Sequence, residues 1–337
     1  MNNEIMVSVM VTTYNLEKYV EETLKSVLMQ EVNFKYEILV GDDGSADNTV
    51  AVVKKMQEEY PEIISYFVMD RDPNIKYDRI ERASKNRINL LNHAKGKYLV
   101  FLDGDDFYIT KDKLQKQVDV LENPDNADCV ACCHDIYMYW NEDKKYRINN
   151  YNKEFKLEGK KMWKDCMYFH TDAVLFKNLF KDGFPEEINP CYYDDNTITF
   201  YLLKFGKFYY IPETMACYRQ IEGSSWNSFS DYDKSIVNLM NIDIETQINS
   251  DYKKEIEIRY IYHVFFIWRK RKHIPSEVLE KYIPQAKRDN LTYTLEALSY
   301  NKKSLGDKIK TDVAMLWKLF CFVWIKLRRI IANRKFM

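Results

Sequence analysis

Three carboxylates lie between positions 103 and 106 of the chain, where Asp103, Asp105 and Asp106 are separated only by Gly104. Carboxylates held this close together repel one another, which raises their pKa values unless a cation or hydrogen bonds compensate. Oxygen ligands in this number suit Mg²⁺ or Mn²⁺, particularly where phosphate oxygens complete the coordination shell. Because Asp and Gly are also common in solvated turns, these residues alone leave both a metal site and a simple acidic turn open.

A second acidic segment, G-D-D-G at 41–44, follows the apolar segment 36–40, just as the first follows the apolar segment 98–102. Both apolar segments have the length and composition of strands that are buried on both faces. The carboxyl ends of parallel strands meet at one edge of a sheet, and α/β proteins bind ligands there. We therefore expect both acidic loops to lie at the same edge of a parallel sheet.

Strands and helices alternate through the first part of the chain, which predicts an α/β fold with a mostly parallel central sheet and right-handed crossovers. We predict strands at 7–12, 36–40, 63–69, 98–102, 127–134, 171–176, 208–211 and 214–219, and helices at 17–29, 48–59, 82–94, 111–121 and 193–204. A hairpin is expected at 137–151 and a surface excursion at 152–167. Since the pattern is almost wholly helical from Asp231, we predict one domain at 1–230 and a helical region at 231–337.

The composition gives no sign of a nucleic-acid partner, because charged residues make up 30% of the 337 residues and balance to a net charge of −1. The seven Cys residues have no disulfide-framework spacing, and the chain starts without a signal-peptide pattern. Both features predict a reducing, cytoplasmic environment. Cys129, Cys132 and Cys133 resemble half of a zinc site, but buried thiols on a strand are the better prediction because no second C-x-x-C completes the site.

Segment 313–332 is apolar around most of a helical circumference, but four Lys and Arg residues interrupt it. These charges argue against a membrane span, which needs about 20 mainly apolar residues. Two Trp residues and a basic tail are typical of a helix in the membrane interface, so we expect peripheral membrane contact through residues 311–335. The alternative is a helix packed in a bundle or in a homo-oligomer interface.

Four segments occur together in the order and spacing of one family's motifs. They read V-S-V-M-V-T-T-Y-N at 7–15, I-L-V-G-D-D-G-S-A-D at 38–47, G-K-Y-L-V-F-L-D-G-D-D at 96–106 and Y-Y-I-P-E-T-M-A-C-Y-R at 209–219. Over about residues 5–225 the chain thereby resembles glycosyltransferase family 2. The segment K-L-Q-K-Q-V at 113–118 is similar to members that build capsule or other surface glycans.

This resemblance implies a nucleotide-sugar-binding fold of GT-A type with a helical C-terminal extension. The implied activity is an inverting, metal-dependent glycosyltransferase that uses a nucleotide-diphosphate sugar, with a UDP-sugar favoured. The acceptor would be a hydroxyl of a glycan or lipid-linked substrate, in capsule or surface polysaccharide synthesis on the inner face of the cytoplasmic membrane. Two alternatives are a nucleotidyltransferase with the same Asp–metal–diphosphate chemistry and a non-catalytic module that binds nucleotide-sugars or glycans.

The resemblance also implies roles for donor-binding residues. Thr12, Tyr14 and Asp43 would surround the nucleotide base, and Asp103 would meet the ribose. Asp105 would hold the Mn²⁺ or Mg²⁺ ion that bridges the diphosphate.

Further roles concern the phosphates and the acceptor. Lys85 stands where relatives often carry an Arg before an Asn, and as a lysine it lacks the bidentate fork of Arg for a phosphate. Arg219 would also contact the donor, although many relatives carry a His two residues later, where this chain has Ile221. Asp195 aligns with the catalytic base and follows a second acidic residue, Asp194, that we assign to substrate binding. His170 lies where relatives line the acceptor pocket, but a single His is more often structural.

The assignment of a base agrees with the chemistry of the reaction. An acceptor hydroxyl that attacks an anomeric carbon must lose a proton, and a carboxylate opposite the leaving group can accept it. One in-line displacement inverts the anomeric centre and needs no carboxylate nucleophile, unlike the carboxylate pair of a retaining hydrolase.

Overall fold

The computed structural model describes residues 4–72, 74–75, 77–149, 151–164, 169–186, 188–221, 229–248, 260, 263–264, 267, 274–299, 304, 306–308, 310, 313, 316–317 and 320. The chain divides into two compact units. The first contains Met1–Gly159 and Tyr168–Glu222, and the second contains Lys160–Met167 and Gly223–Met337. The predicted domain boundary at residue 230 stays a prediction.

The described strands alternate with helices as far as the fourth strand. The strands are β1 (Val7–Thr13), β2 (Tyr36–Asp42), β3 (Ile64–Val68), β4 (Tyr98–Asp103), β5 (Phe107–Tyr108), β6 (Cys129–Asn141), β7 (Lys144–Arg147), β8 (Phe155–Leu157), β9 (Leu175–Lys177) and β10 (Lys207–Arg219). The helices are α1 (Val20–Leu28), α2 (Thr49–Glu59), α3 (Arg79–His93), α4 (Lys113–Glu122), α5 (Gly159–Lys164), α6 (Asp195–Leu202), α7 (Asp231–Ile248), α8 (Ser276–Arg288) and α9 (Thr292–Leu298).

One sheet joins all ten described strands. Eight of them follow the order β3-β2-β1-β4-β9-β6-β10-β5, while β7 pairs with β6 and β8 pairs with β10. β1 lies between β2 and β4 and runs parallel to both, and Thr12 of β1 is in register with Gly41 on one side and Asp103 on the other. The two acidic loops therefore leave the sheet at the same edge, as the sequence predicted.

The first strands are buried on both faces, which explains their nearly continuous apolar sequences. On one face Val9, Val100 and Leu24 belong to a cluster of buried side chains from the sheet and from α1, α2 and α4. On the other face the ring of Phe101 lies against the rings of Phe176 and Tyr193, with centroids 6.4 and 6.2 Å apart. Strands β1 and β4 are thus covered on both faces, which leaves their carboxyl ends for a site.

Three predictions of secondary structure were wrong in instructive ways. Residues 208–219 form one strand instead of two, because a bulge between Ile211 and Thr214 accommodates Pro212, which has no N–H for the ladder. Residues 152–167 are not only a surface excursion, since β8 pairs with β10 and buries Leu157 completely. Residues 171–173 form a short 3-10 turn, and only Leu175–Lys177 is a strand.

The second unit is helical where it is described, as predicted. Its helix α9 has no cap from its own N-cap residue, but Asp243 of α7 accepts hydrogen bonds from the backbone N–H groups of Tyr293 and Thr294, both at 2.8 Å. No helix among the described residues is both long and apolar enough to cross a membrane. The predicted interfacial segment 311–335 lies outside the described residues except at positions 313, 316, 317 and 320.

Lys113, the first residue of α4, is completely buried. Its ammonium donates to Gln117 Oε1 at 2.9 Å and lies 4.1 Å from the centroid of the Tyr108 ring. Gln117 in turn donates to the backbone carbonyls of Cys132 at 2.8 Å and Ala173 at 3.0 Å, so this pair ties α4 to β6 and to the 171–173 turn. Burial lowers the pKa of Lys113 to about 7, although the charge of Asp172 opposes the shift.

Replacing Lys113 with Met should remove a pH dependence of stability. Because the folded-state pKa of Lys113 lies below its unfolded value, the unfolded chain binds the extra proton between these two values, and stability rises with pH there. Between pH 7 and 9 this group should add up to about 2 kcal/mol to the free energy of unfolding. Urea titrations at several pH values should show this rise in the wild type and not in Lys113→Met. Parallel pH curves for the two proteins would contradict the assignment.

Candidate active site

Asp103, the last residue of β4, is held by neighbours on both sides. Thr12 Oγ1 donates to Asp103 Oδ1 at 2.9 Å, and Arg87 Nη2 of α3 lies 3.2 Å from the same oxygen. This carboxylate is about a quarter exposed, whereas the Arg87 side chain is nearly buried at 16%. The end of β4 therefore presents a carboxylate whose orientation is fixed by the nearly buried Arg87 guanidinium and the Thr12 hydroxyl.

Asp43, beyond the end of β2, lies between two arginines that the sequence analysis did not identify. Both Arg71 and Arg82 form ion pairs with its carboxylate, and Arg71 Nε also donates to the Asp43 carbonyl at 2.6 Å. The Arg71 guanidinium lies 4.1 Å from the centroid of the Tyr14 ring, and Tyr77 contacts both arginines. Tyr14 and Asp43 are thus brought together, as predicted, in a cluster of charged and aromatic groups suited to a planar polar ligand.

Lys85 is not brought to this edge. Its ammonium forms a surface ion pair with Glu81 at 2.7 Å, one turn away on α3. Asn86 instead donates to the carbonyl of Gly41 at 2.8 Å, and Arg87 reaches Asp103. The helix thus turns Asn86 and Arg87 toward the sheet and Lys85 toward solvent, and Arg87, not Lys85, contacts the acidic loop.

The acidic loop folds back tightly over β1. Gly104 N–H donates to the carbonyl of Thr12 at 2.9 Å, and a Cβ on Gly104 would lie 2.8 Å from that oxygen. Burial and the charge of Asp103 raise the pKa of Asp105 to about 7. Arg219 fixes the loop from the end of β10, because its Nε donates to the carbonyl of Asp105 at 2.8 Å and its backbone N–H to Asp106 Oδ1 at 2.7 Å.

A histidine and a fourth carboxylate lie beside the loop. His170 Nδ1 is 3.0 Å from Asp172 Oδ2, and the His170 ring stacks on Tyr218 at 4.2 Å between centroids. Burial alone would lower the pKa of His170, but the neighbouring Asp172 carboxylate outweighs that effect and raises it to about 9. Asp172 Oδ1 also accepts a hydrogen bond from the backbone N–H of Asp103 at 3.2 Å, which joins the 171–173 turn to the end of β4.

Asp194 and Asp195 stand at the start of α6. Asp194 caps the helix by accepting from Thr197 N–H at 2.8 Å and Thr197 Oγ1 at 2.7 Å, while burial and the charge of Asp195 raise its pKa to about 6. Asp195 interacts electrostatically with Arg87 and with His170, and so does Asp103. The helix start therefore belongs to the same site as the acidic loop.

Several of these groups could hold a divalent cation. Among the described residues, Asp103, Asp106 and His170 offer ligand atoms that lie within 4.8 Å of one another. Asp105, the predicted ligand, lies in the same loop, and the buried, mutually repelling carboxylates fit a hard cation such as Mn²⁺ or Mg²⁺.

The predicted site residues gather at this edge except for Lys85. The structure adds Arg71, Arg82, Arg87, Asp106 and Asp172, which the sequence analysis did not assign to the site. Of these only Asp106 carried a signal in the sequence, as the third carboxylate of the acidic loop.

Proteins with similar sequences include a named glycosyltransferase. The chain is 27% identical over 264 residues to the Campylobacter jejuni GalNAc(5)-diNAcBac-PP-undecaprenol beta-1,3-glucosyltransferase, a match that covers 73% of this chain and 78% of the relative. It spans only 60% of the length of an uncharacterised Mycobacterium bovis relative, to which it is 26% identical.

Solved structures share the fold. TarS of Staphylococcus aureus (residues 1–349), in complex with UDP-GlcNAc, has a TM-score of 0.53 and 18% identity, with 88% of this chain and 92% of that chain covered. A mannosyltransferase of Pyrobaculum calidifontis, in complex with GDP-Man and Mn²⁺, has a TM-score of 0.52 and 16% identity, with 88% and 87% covered. The predicted GT-A fold is thereby confirmed.

The family model for glycosyl transferase family 2 matches residues 8–184, which is more than half of the 337-residue chain. The matched region contains β1 from its second residue, β2 to β4, the acidic loop and the 171–173 turn. The chain belongs to glycosyltransferase family 2.

Proposed function

We propose that the protein is an inverting, metal-dependent glycosyltransferase that moves a sugar from a UDP-sugar to a hydroxyl of a glycan or lipid-linked acceptor. The observation that carries the proposal is the meeting of the acidic loop and Asp195 at one sheet edge, where Arg87 and His170 interact with both Asp103 and Asp195. Family membership supports the reaction class. The undecaprenol-linked substrate in the Campylobacter relative's name supports a lipid-linked acceptor, and the UDP-GlcNAc bound to TarS supports a UDP donor.

The donor half of the site would bind the nucleotide through groups on β1, β2 and β4. Tyr14 and the Asp43–Arg71 pair would contact the base, while Thr12 and Asp103 would orient the ribose. Asp105 would hold the divalent cation, which when bound stabilises the negative charge that develops on the leaving diphosphate.

Asp195 would act on the acceptor half by taking the proton of the attacking hydroxyl. Asp194 is less suited to that role, because its carboxylate already caps α6 through two contacts with Thr197. Arg87, which interacts electrostatically with both Asp103 and Asp195, would help to hold the two carboxylates in place. One base and a single displacement give inversion, and the beta linkage in the name of the Campylobacter relative supports that outcome.

We further propose a role in capsule or other surface polysaccharide synthesis, with the C-terminal segment 311–335 in contact with the membrane surface. Positions 313, 316, 317 and 320 repeat at the spacing of one helix face, and their apolar side chains (Val313, Leu316, Trp317 and Phe320) are each more than half exposed, at 62%, 52%, 69% and 64%. An exposed apolar face with flanking basic residues fits an interfacial helix.

Asp195→Asn tests the proposed reaction. The change keeps the size of the side chain but removes the proton acceptor, so transfer should fall by ~10²–10⁴-fold while donor affinity stays within a few-fold. Transfer and donor binding should be measured with Mn²⁺ on a panel of UDP-, GDP- and CDP-sugars, with the exposed Asp182→Asn as the matched control. Wild-type transfer by Asp195→Asn would show that the base lies elsewhere. Release of pyrophosphate from a nucleoside triphosphate, or donor binding without any turnover, would instead support the two alternative functions.

Asp105→Asn should abolish metal-dependent donor binding and leave the fold intact, because the loop lies at the sheet edge. In the wild type, Mn²⁺ affinity should increase as the pH rises from 6 to 8, since the Asp105 carboxylate with its raised pKa of about 7 must lose its proton to ligate. Calorimetry with Mn²⁺ at several pH values, together with the melting temperature, checks both points. Normal Mn²⁺-dependent turnover by the variant would refute this metal assignment.

Deletion of residues 311–337 should release the protein from vesicles that contain anionic lipids. The binding of the full chain should weaken with salt, because basic side chains contribute about 1 kcal/mol each near an anionic surface. Flotation with anionic and with neutral vesicles measures this. If light scattering shows that the truncated chain no longer forms the oligomer of the full chain, and the truncated chain still binds vesicles, the segment lies in a homo-oligomer interface and not at the membrane.

A further inference from the structure

One histidine lies among the carboxylates of the acidic loop although it is more than 60 residues away in the sequence. A ring nitrogen of His170 and carboxylate oxygens of Asp103 and Asp106 all lie within 4.8 Å of one another. Ligand atoms about 2.1 Å from one octahedral ion lie roughly 3–4 Å apart, so a single ion could be bound after small side-chain movements.

The ring of His170 is fixed in its orientation. It is 6% exposed, its Nδ1 lies 3.0 Å from Asp172 Oδ2, and its face stacks on the ring of Tyr218. Asp172 is completely buried and is itself held by the backbone N–H of Asp103. A carboxylate on one imidazole nitrogen is the usual arrangement behind a metal-bound histidine, because it sets the tautomer and raises the basicity of the other nitrogen.

The carboxylate of Asp106 is a second, independent observation. Its side chain is completely buried, and Oδ1 accepts the backbone N–H of Arg219 at 2.7 Å. No N–H or hydroxyl group of the described residues donates to Oδ2. The Asp106 carboxyl group instead hydrogen-bonds to the buried carboxylate of Asp172, and two facing carboxylates need either a shared proton or a cation, so a cation could replace that proton.

We propose that His170 is a nitrogen ligand of the divalent cation at the acidic loop, through Nε2, which releases its proton to solvent when the ion binds, and that Asp172 positions it by holding Nδ1. The inference rests on the proposed function for the role of the cation. Its chemical consequence is selectivity: an imidazole ligand favours transition-metal ions over Mg²⁺ and Ca²⁺, and Mn²⁺, which also accepts carboxylate oxygens, is the transition-metal ion that suits such a mixed site.

Pulsed EPR of Mn²⁺ bound to the full chain tests this directly, without any assay of activity. A ligated imidazole nitrogen couples to the Mn²⁺ electron spin, so the wild type should show a ¹⁴N modulation that is absent in His170→Gln. His93→Gln, which changes an exposed histidine of α3, is the matched control and should keep the modulation. Asp172→Asn should keep it too but weaken Mn²⁺ affinity by ~10–100-fold.

Metal titrations give a second readout. The wild type should prefer Mn²⁺ over Mg²⁺ in calorimetry, and His170→Gln should lose most of that preference. If His170→Gln does not fold, wild-type protein labelled with ¹⁵N-histidine replaces it, and loss of the ¹⁴N modulation on labelling supports a histidine ligand.

Two results would overturn the inference. One is stoichiometric Mn²⁺ binding by the wild type without nitrogen coupling, and the other is an unchanged modulation in His170→Gln or in labelled protein. Either result would leave the proposed function standing if Mn²⁺ still supports sugar transfer. The proposed function itself fails if no nucleotide-sugar supports transfer, whatever the nitrogen signal shows.

Discussion

Negative charge buried at the carboxyl edge of the sheet is the constraint to which the rest of the site responds. The acidic loop supplies three carboxylates, and the fold adds a fourth, Asp172, beside them. Removing a carboxylate from water is costly unless it is paired, and a pair of carboxylates raises the cost further. Two effects reduce this cost. The pKa values of Asp105 and Asp106 are raised, so these carboxylates are protonated more easily. In addition, cationic groups from distant segments of the chain lie at this edge.

These cationic groups come from three different elements. Arg87 comes from α3, His170 from the segment before β9, and Arg219 from the end of β10. The sheet topology is what assembles them, since β9 pairs antiparallel with β4 and the end of β10 meets β5 just after the acidic loop. The same connections bring the start of α6 to Arg87 and His170, so the neutralisation of the loop and the placement of Asp195 depend on one arrangement of strands.

The sequence predicted the part of the site that depends on strand ends. Asp103 and Asp43 follow apolar segments whose burial and parallel pairing could be read from composition, and their common edge is confirmed. Lys85 shows where this reasoning stops: the resemblance indicated Lys85 of α3, but the phase of α3 against the sheet turns Lys85 toward solvent and Arg87 toward Asp103. The His170–Asp172 pair could not be predicted because its meeting with the acidic loop depends on the antiparallel β4–β9 pairing. The single strand β10 was missed for a local reason, since Pro212 normally ends a strand unless a bulge absorbs it.

The tight return of the acidic loop over β1 has a consequence for engineering. A side chain at position 104 would collide with the Thr12 carbonyl and with Thr13 Cγ2, which would lie 2.8 and 2.7 Å from its Cβ. Neither of these neighbours can easily move, because both belong to the central strand of the sheet. Mutagenesis that aims to change the donor or metal preference can therefore replace the polar side chains around the loop. Position 104 must remain glycine, because any side chain there would push the loop away from β1.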